Sequence, residues 1–195
     1  DGARLREILR EAVAISDAPS MLRFPKGAVQ EDIPAFERRD GIDVLYRGES
    51  ADVLLVSIGA MAAIAVEAAS MAYREGVGVT VIDPRWVKPL PASLVTIAQR
   101  YKSVVVLEDG IKHSGIASSI SEAFREAGLA TSIHSIGIPL EFIEHYKRSE
   151  IMNDLGITAQ SIARRIVEWN STSSAATMAE MQYPAHESAD RKQRS

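Results

Sequence analysis

A chain of 195 residues, 46% hydrophobic and 25% charged, has enough apolar material for one domain and an accessory segment. Its net charge of −4 gives no basic footprint for nucleic acid, and no apolar run nears the ~20 residues of a membrane span. With no cysteine it forms neither disulfides nor thiolate metal sites, which suits a reducing compartment. No signal peptide is expected ahead of the fold. The chain opens on Asp1, directly before a helical pattern, and reads as a fragment of something longer.

Residues 3–15 carry Leu5, Ile8, Leu9, Ala12 and Val13 on one helical face, with Arg4, Arg6, Glu7, Arg10 and Glu11 mostly opposite. Asp1 is the expected N-cap, and the Ser16-Asp17-Ala18-Pro19 run ends the helix. Residues 20–24 predict a short strand, broken by Pro25 and Gly27. One helix and one strand cannot bury a core, so 1–27 is expected to be the end of a preceding domain. Periodicity fades over 28–41, which reads as an exposed linker containing the charged run Glu37-Arg38-Arg39-Asp40-Gly41. Alternation over 42–47 predicts an edge strand opening a second domain.

The stretch 52–89 is the centre of that domain. Val53 to Ile58 is too continuously apolar for a half-exposed strand and suits one buried on both faces of a parallel sheet. Gly59 allows a tight turn, an alanine-rich helix covers 60–74, and Val77 to Ile82 is a second buried strand. Strand, helix, strand makes a βαβ unit with a right-handed crossover. A helix at 92–101, a strand at 103–107, a helix at 115–127 and a strand at 131–136 follow. Residues 139–145 turn the chain into short helices, one at 149–155 and a last one N-capped by Thr158. The order predicts an α/β three-layer domain with a mainly parallel sheet over 42–170. Beyond Asn170, residues 171–195 lack an apolar period and read as a disordered tail.

Candidate chemistry is sparse. The turn at Gly59 followed by Asp83 could suggest a dinucleotide site, but one glycine is not G-x-G-x-x-G and Met61 would crowd a pyrophosphate; scaffold is the preferred reading. The histidines, His113, His134, His145 and His186, form no metal-binding pair. His134 in a strand reads as structural, His113 lies past a strand end where ligands bind in open sheets, and His145 with Glu141 and Glu144 reads as a solvated face. Glu108 and Asp109 form the best carboxylate pair, for a general base or, preferably, for fixing a turn or subunit contact. Arg85 and Trp86 suit an interface. The sharpest local signal is R-F-P-K-G at 23–27, where Arg23 and Lys26 beside a permissive glycine suit a phosphate or carboxylate.

R-F-P-K-G at 23–27, V-I-D-P-R-W-V-K-P-L at 81–90, E-D-G at 108–110, G-I-P-L-E-F-I-E-H at 137–145 and N-D-L-G-I-T at 153–158 resemble, in that order, the C-terminal third of the 1-deoxy-D-xylulose-5-phosphate synthase family of the transketolase superfamily. The resemblance covers roughly residues 1–169. It implies a transferase that uses thiamine diphosphate and Mg²⁺ to condense pyruvate with D-glyceraldehyde 3-phosphate, releasing CO₂. The product, 1-deoxy-D-xylulose 5-phosphate, feeds non-mevalonate isoprenoid, thiamine and pyridoxal synthesis. It also implies a cytoplasmic homodimer, with this chain holding the last helix and strand of the pyrimidine-binding domain and a complete third domain.

Little of the family's active site is present here. The G-D-G…N cofactor motif, the glutamate facing the aminopyrimidine ring and the substrate-binding histidines are absent, so no catalytic, cofactor or metal ligand is expected in this chain, which alone is expected to be inactive. By resemblance Arg23 is a ligand for the phosphate of the aldehyde acceptor and Lys26 is the second basic residue. Where many relatives have a G-G-x-G-S turn after the E-D element, this chain has His113-Ser114-Gly115-Ile116-Ala117-Ser118, which puts any anion affinity of that helix start in doubt. The alternatives are the E1 β subunit of a 2-oxo acid dehydrogenase, which shares the third-domain fold, and a non-catalytic dimerisation domain.

Overall fold

The computed structural model describes residues 1–182. Helix α1 (Gly2–Ala14) is capped by Asp1, whose carboxylate accepts the Arg4 backbone N–H at 2.8 Å. The cap satisfies a donor that the first helical turn leaves unpaired. The chain then runs to a hairpin of β1 (Glu37–Arg39) and β2 (Ile42–Tyr46). Asp40 and Gly41 turn it with positive φ, 49° and 82°, the geometry of a two-residue type I′ turn. Next come β3 (Val53–Ser57), a 3₁₀ turn (Gly59–Met61), α2 (Ala62–Arg74), β4 (Val79–Asp83) and α3 (Ser93–Ala98). The remainder is β5 (Ser103–Ile111), α4 (Ile116–Glu126), β6 (Ser132–Ile138), α5 (Arg148–Asp154) and α6 (Ala159–Gln182).

The six strands form one sheet in the order β1-β2-β4-β3-β5-β6. The four strands β4, β3, β5 and β6 are parallel, and the hairpin adds two antiparallel strands at one edge. Side chains alternate across the sheet. Val53, Leu55, Val79, Val81, Val105 and Leu107 face the alanine side of α2 and the Ile162–Ile166 side of α6. Leu54, Val56, Ile82, Val104 and Val106 face Leu94 of α3 and Ile120 and Phe124 of α4. Ala65, Ala68, Ala69 and Ala72 are all fully buried, so α2 presents small side chains to the sheet and α6 and can approach them closely. This is the three-layer α/β domain with a mainly parallel sheet that the sequence predicts.

Four expectations change. Residues 20–24 have no ladder partner among the described residues. Met21 and Phe24 are exposed there, and the segment is tied down by the Ser20 hydroxyl, which donates to the Ala12 carbonyl at 3.1 Å, and by Arg23. The linker 28–41 contributes β1 and the hairpin turn, and β2 lies inside the sheet rather than at its edge. Asp43, the polar position of its alternation, is fully buried because two arginines neutralise it. Residues 139–147 lead irregularly into α5, with Leu140 and Phe142 exposed. Helix α6 continues to Gln182, so residues 171–182 of the expected tail are helical; residues 183–195, with His186, lie outside the described residues. Among the described residues no helix is long and apolar enough to cross a membrane.

Candidate functional site

The candidate site lies at the C-terminal end of β5. Up to Leu107, β5 pairs in step with β6, but Leu107 opposes Ile136 whereas Ile111 opposes Ile138. The surplus residues on β5 leave the ladder, and such a bulge re-aims both side chains and carbonyls. The Asp109 carbonyl is thereby free to accept Arg23 Nη1 at 2.8 Å, across 86 positions of sequence. The Asp109 carboxylate turns instead to Arg148, at the start of α5. Arg148 Nη2 and Nε donate to Oδ2 at 2.8 Å and 3.3 Å, and Nη2 lies 3.8 Å from Met61 Sδ. Two guanidinium groups therefore meet at one residue.

Glu108 plays a different part. Its buried carboxylate accepts the N–H groups of Ile116 at 2.9 Å and Ala117 at 3.2 Å, capping α4 from a neighbouring strand. The positive end of α4 is thus already filled by an internal anion, and an external one finds no vacancy there. A general base at Glu108 is equally disfavoured, because both oxygens are committed to backbone donors. Of the two readings of the Glu108–Asp109 pair, the turn-fixing one matches the geometry.

The remaining candidates separate from this point. Lys26 is exposed and makes no hydrogen bond or ion pair among the described residues, and no contact joins it to Arg23. His113 is exposed on the rim of an open groove of about 630 Å³ along α4 and β6, whose lining does not include Arg23. His134 stacks on Trp169 with ring centroids 4.2 Å apart and planes within 4°, and burial holds its imidazole below the usual pKa. His145 is exposed, and no contact links it to Glu141 or Glu144, whereas Glu144 accepts the Tyr146 hydroxyl. At the βαβ turn, Ile58 donates to the Leu107 carbonyl at 2.9 Å and Met61 is fully buried, so the crevice between β3 and β5 is packed with protein.

A second charged cluster fixes α1 to the sheet. Arg4 Nε donates to Asp43 Oδ2 at 2.7 Å, and Arg38 Nε donates to Asp43 Oδ1 at 2.5 Å. Burial pushes the Asp43 carboxyl up, but the two arginines outweigh it and hold the pKa below the usual range. Asp83, 3.7 Å from Arg4, is less well compensated, and burial pushes its pKa up. Glu11 on α1 accepts Arg85 and, at 2.9 Å, Trp86 Nε1, which hold its pKa down. The interface that Arg85 and Trp86 serve is therefore the internal one between α1 and the end of β4. Arg148 and this clamp escaped sequence reasoning; apart from Arg38 and Asp43, five positions apart, the partners lie tens of positions away, and local pattern carries no sign of them.

The profile of the transketolase C-terminal domain matches residues 43–162. The chain belongs to the transketolase C-terminal domain family. Among curated proteins it is 48% identical over 172 residues to the 1-deoxy-D-xylulose-5-phosphate synthase of Mycobacteroides abscessus, covering 87% of this chain and 27% of that protein. It is also 48% identical over 168 residues to the synthase of Leifsonia xyli, covering 86% and 26% respectively. The chain thus spans about a quarter of the length of these relatives. Among solved structures, a split-gene transketolase described as an inactive β4 tetramer superposes with a TM-score of 0.75 at 26% identity, covering 86% of this chain and 55% of that one. A transketolase from Pichia stipitis shares the fold with a TM-score of 0.52 at 16% identity, over 70% of this chain and 19% of that one. The matched residues run from β2 to the first turn of α6, whereas α1, Arg23 and β1 lie before them.

Proposed function

We propose that this chain is the C-terminal part of a thiamine-diphosphate-dependent transferase. That enzyme would decarboxylate pyruvate and join the two-carbon unit to D-glyceraldehyde 3-phosphate, releasing CO₂ and giving 1-deoxy-D-xylulose 5-phosphate for isoprenoid synthesis. The observation that carries this reading is the 48% identity to 1-deoxy-D-xylulose-5-phosphate synthase over 87% of the chain. Within it, residues 42–170 act as scaffold and subunit contact in a cytoplasmic homodimer.

In this reading Arg23 holds the phosphate of the aldehyde acceptor, with Lys26 as a second cation. The support is electrostatic. Arg23 is exposed, is held by a neutral carbonyl, and has no carboxylate paired with it among the described residues. A guanidinium so placed keeps most of its N–H fork for an anion. The residues present do not fit the cofactor itself. The sequence lacks G-D-G…N, and among the described residues no three His, Asp or Glu side chains converge as a metal site. Thiamine diphosphate and Mg²⁺ would be held by residues beyond this chain.

The test is steady-state kinetics of the complete enzyme with Arg23→Ala. The KM for glyceraldehyde 3-phosphate should rise about tenfold or more, the scale of a lost charge-assisted contact, while pyruvate is used nearly as before. Equal losses for both substrates would reject the phosphate role. A requirement for a lipoyl acceptor in turnover would instead favour the E1 β subunit of a 2-oxo acid dehydrogenase.

A further inference from the structure

Asp109 offers Arg23 two acceptors of unequal strength, a neutral carbonyl and a carboxylate on the same residue. Arg23 takes the carbonyl at 2.8 Å because the carboxylate is held by Arg148 at 2.8 Å. A guanidinium prefers a carboxylate to an amide oxygen, since the charge-assisted bond is about twice as strong. The Arg23 guanidinium already sits on the residue whose carboxylate Arg148 holds. The bulge between Leu107 and Ile111 sets the Asp109 carbonyl and carboxylate toward two different arginines. Arg148 is itself seated, with Nη2 against both Asp109 and the buried Met61 sulfur.

We infer that Arg148 is a positioning residue for Arg23: by occupying the Asp109 carboxylate it keeps the Arg23 guanidinium uncommitted and available to a phosphate. The inference rests on the reading that Arg23 takes the acceptor's phosphate. Without Arg148, Asp109 is an unpaired anion beside Arg23. It would capture that guanidinium and would repel an incoming phosphate, both of which weaken binding.

The experiment compares Arg23→Ala, Arg148→Gln, Arg148→Lys and the double variant Arg148→Gln/Asp109→Asn in the complete enzyme. Arg148→Gln should raise the KM for glyceraldehyde 3-phosphate about tenfold and move the KM for pyruvate less than about twofold. Arg148→Lys, which still neutralises Asp109, should stay within about threefold of the parent. The double variant should recover most of the loss, because an amide cannot neutralise Arg23. The Arg148 side chain is 39% exposed, so these substitutions leave the core intact. Absence of a KM effect in Arg148→Gln, or no recovery in the double variant, overturns the inference while a selective Arg23→Ala effect leaves the functional reading standing. An unselective Arg23→Ala overturns both.

Discussion

Glu108 and Gly115 are fitted to each other: a Cβ added to Gly115 would lie within 2.5 Å of Glu108 Oε1 and of the Ile111 carbonyl oxygen. Gly115 has an ordinary negative φ of −79°, so the demand for glycine is one of space and not of backbone conformation. The space lets Glu108 reach under the first turn of α4 and accept two of its unpaired N–H groups.

Gly115→Ala should therefore destabilise the chain by about 2–4 kcal/mol, combining an overpacked contact with loss of charge-assisted capping bonds. Urea unfolding of the 195-residue chain measures this. A midpoint unchanged from the parent would mean that the Glu108 cap moves aside without cost.

The clamp on α1 makes a graded prediction. Arg4→Ala strips a partner from Asp43, which is 0% exposed, and from Asp83, which is 4% exposed. Removing one member of a buried charge cluster costs about 3–5 kcal/mol. Glu11→Gln acts on a side chain 38% exposed, where solvent screens the pair, and should cost only about 1 kcal/mol. Amide exchange in α1 should accelerate far more in the first variant than in the second, and equal acceleration would show that the two contacts share one role.

These contacts explain which parts of the molecule could be read from the chain. The apolar runs from Val53 to Val56 and from Val104 to Leu107 declare buried parallel strands, because only a strand covered on both faces is apolar without alternation. Asp1 and Thr158 declare helix starts through a local side-chain bond, Thr158 Oγ1 accepting the Ser161 N–H at 3.2 Å. What local pattern could not supply was the partner. Residues 20–24 read as a short strand but pair with no edge among the described residues, while Glu37 to Arg39 look like charged linker and yet pair with β2. Residues 171–182 lack an apolar period, but they extend a helix already nucleated upstream, and Ala, Met and Glu propagate it. Arg23 was legible with Lys26 as a pair of cations beside a glycine; its contact with Asp109, and the contact of Asp109 with Arg148, were not, because the three residues lie far apart in sequence.

Acid stability should expose opposed carboxylates. Asp43 and Asp52 have folded pKa values below the 3.8 of a free aspartate: burial raises each, but Arg38 and Arg4 on Asp43, and Lys102, Ser50 and the Gly78 N–H on Asp52, outweigh it. Each therefore contributes stability that is present above 3.8 and is lost as pH falls through the lower folded value. Asp83 has the reverse sign. Its burial-raised pKa means that ionisation opposes folding, a penalty that is full above the folded value and gone below 3.8. Lowering the pH from about 7 should first relieve Asp83, so stability holds or rises slightly, and then remove the support of Asp43 and Asp52 below about 3.8. Asp83→Asn isolates the first phase. Its amide oxygen can still accept the Arg85 N–H that Asp83 accepts at 2.8 Å, while the ionisable group is gone. Urea unfolding at a series of pH values should show the variant gaining on the parent as pH rises through the Asp83 titration, with the steep acid loss below about 3.8 still present in both. A constant gap between the two at every pH would mean that Asp83 carries no raised pKa in the folded chain.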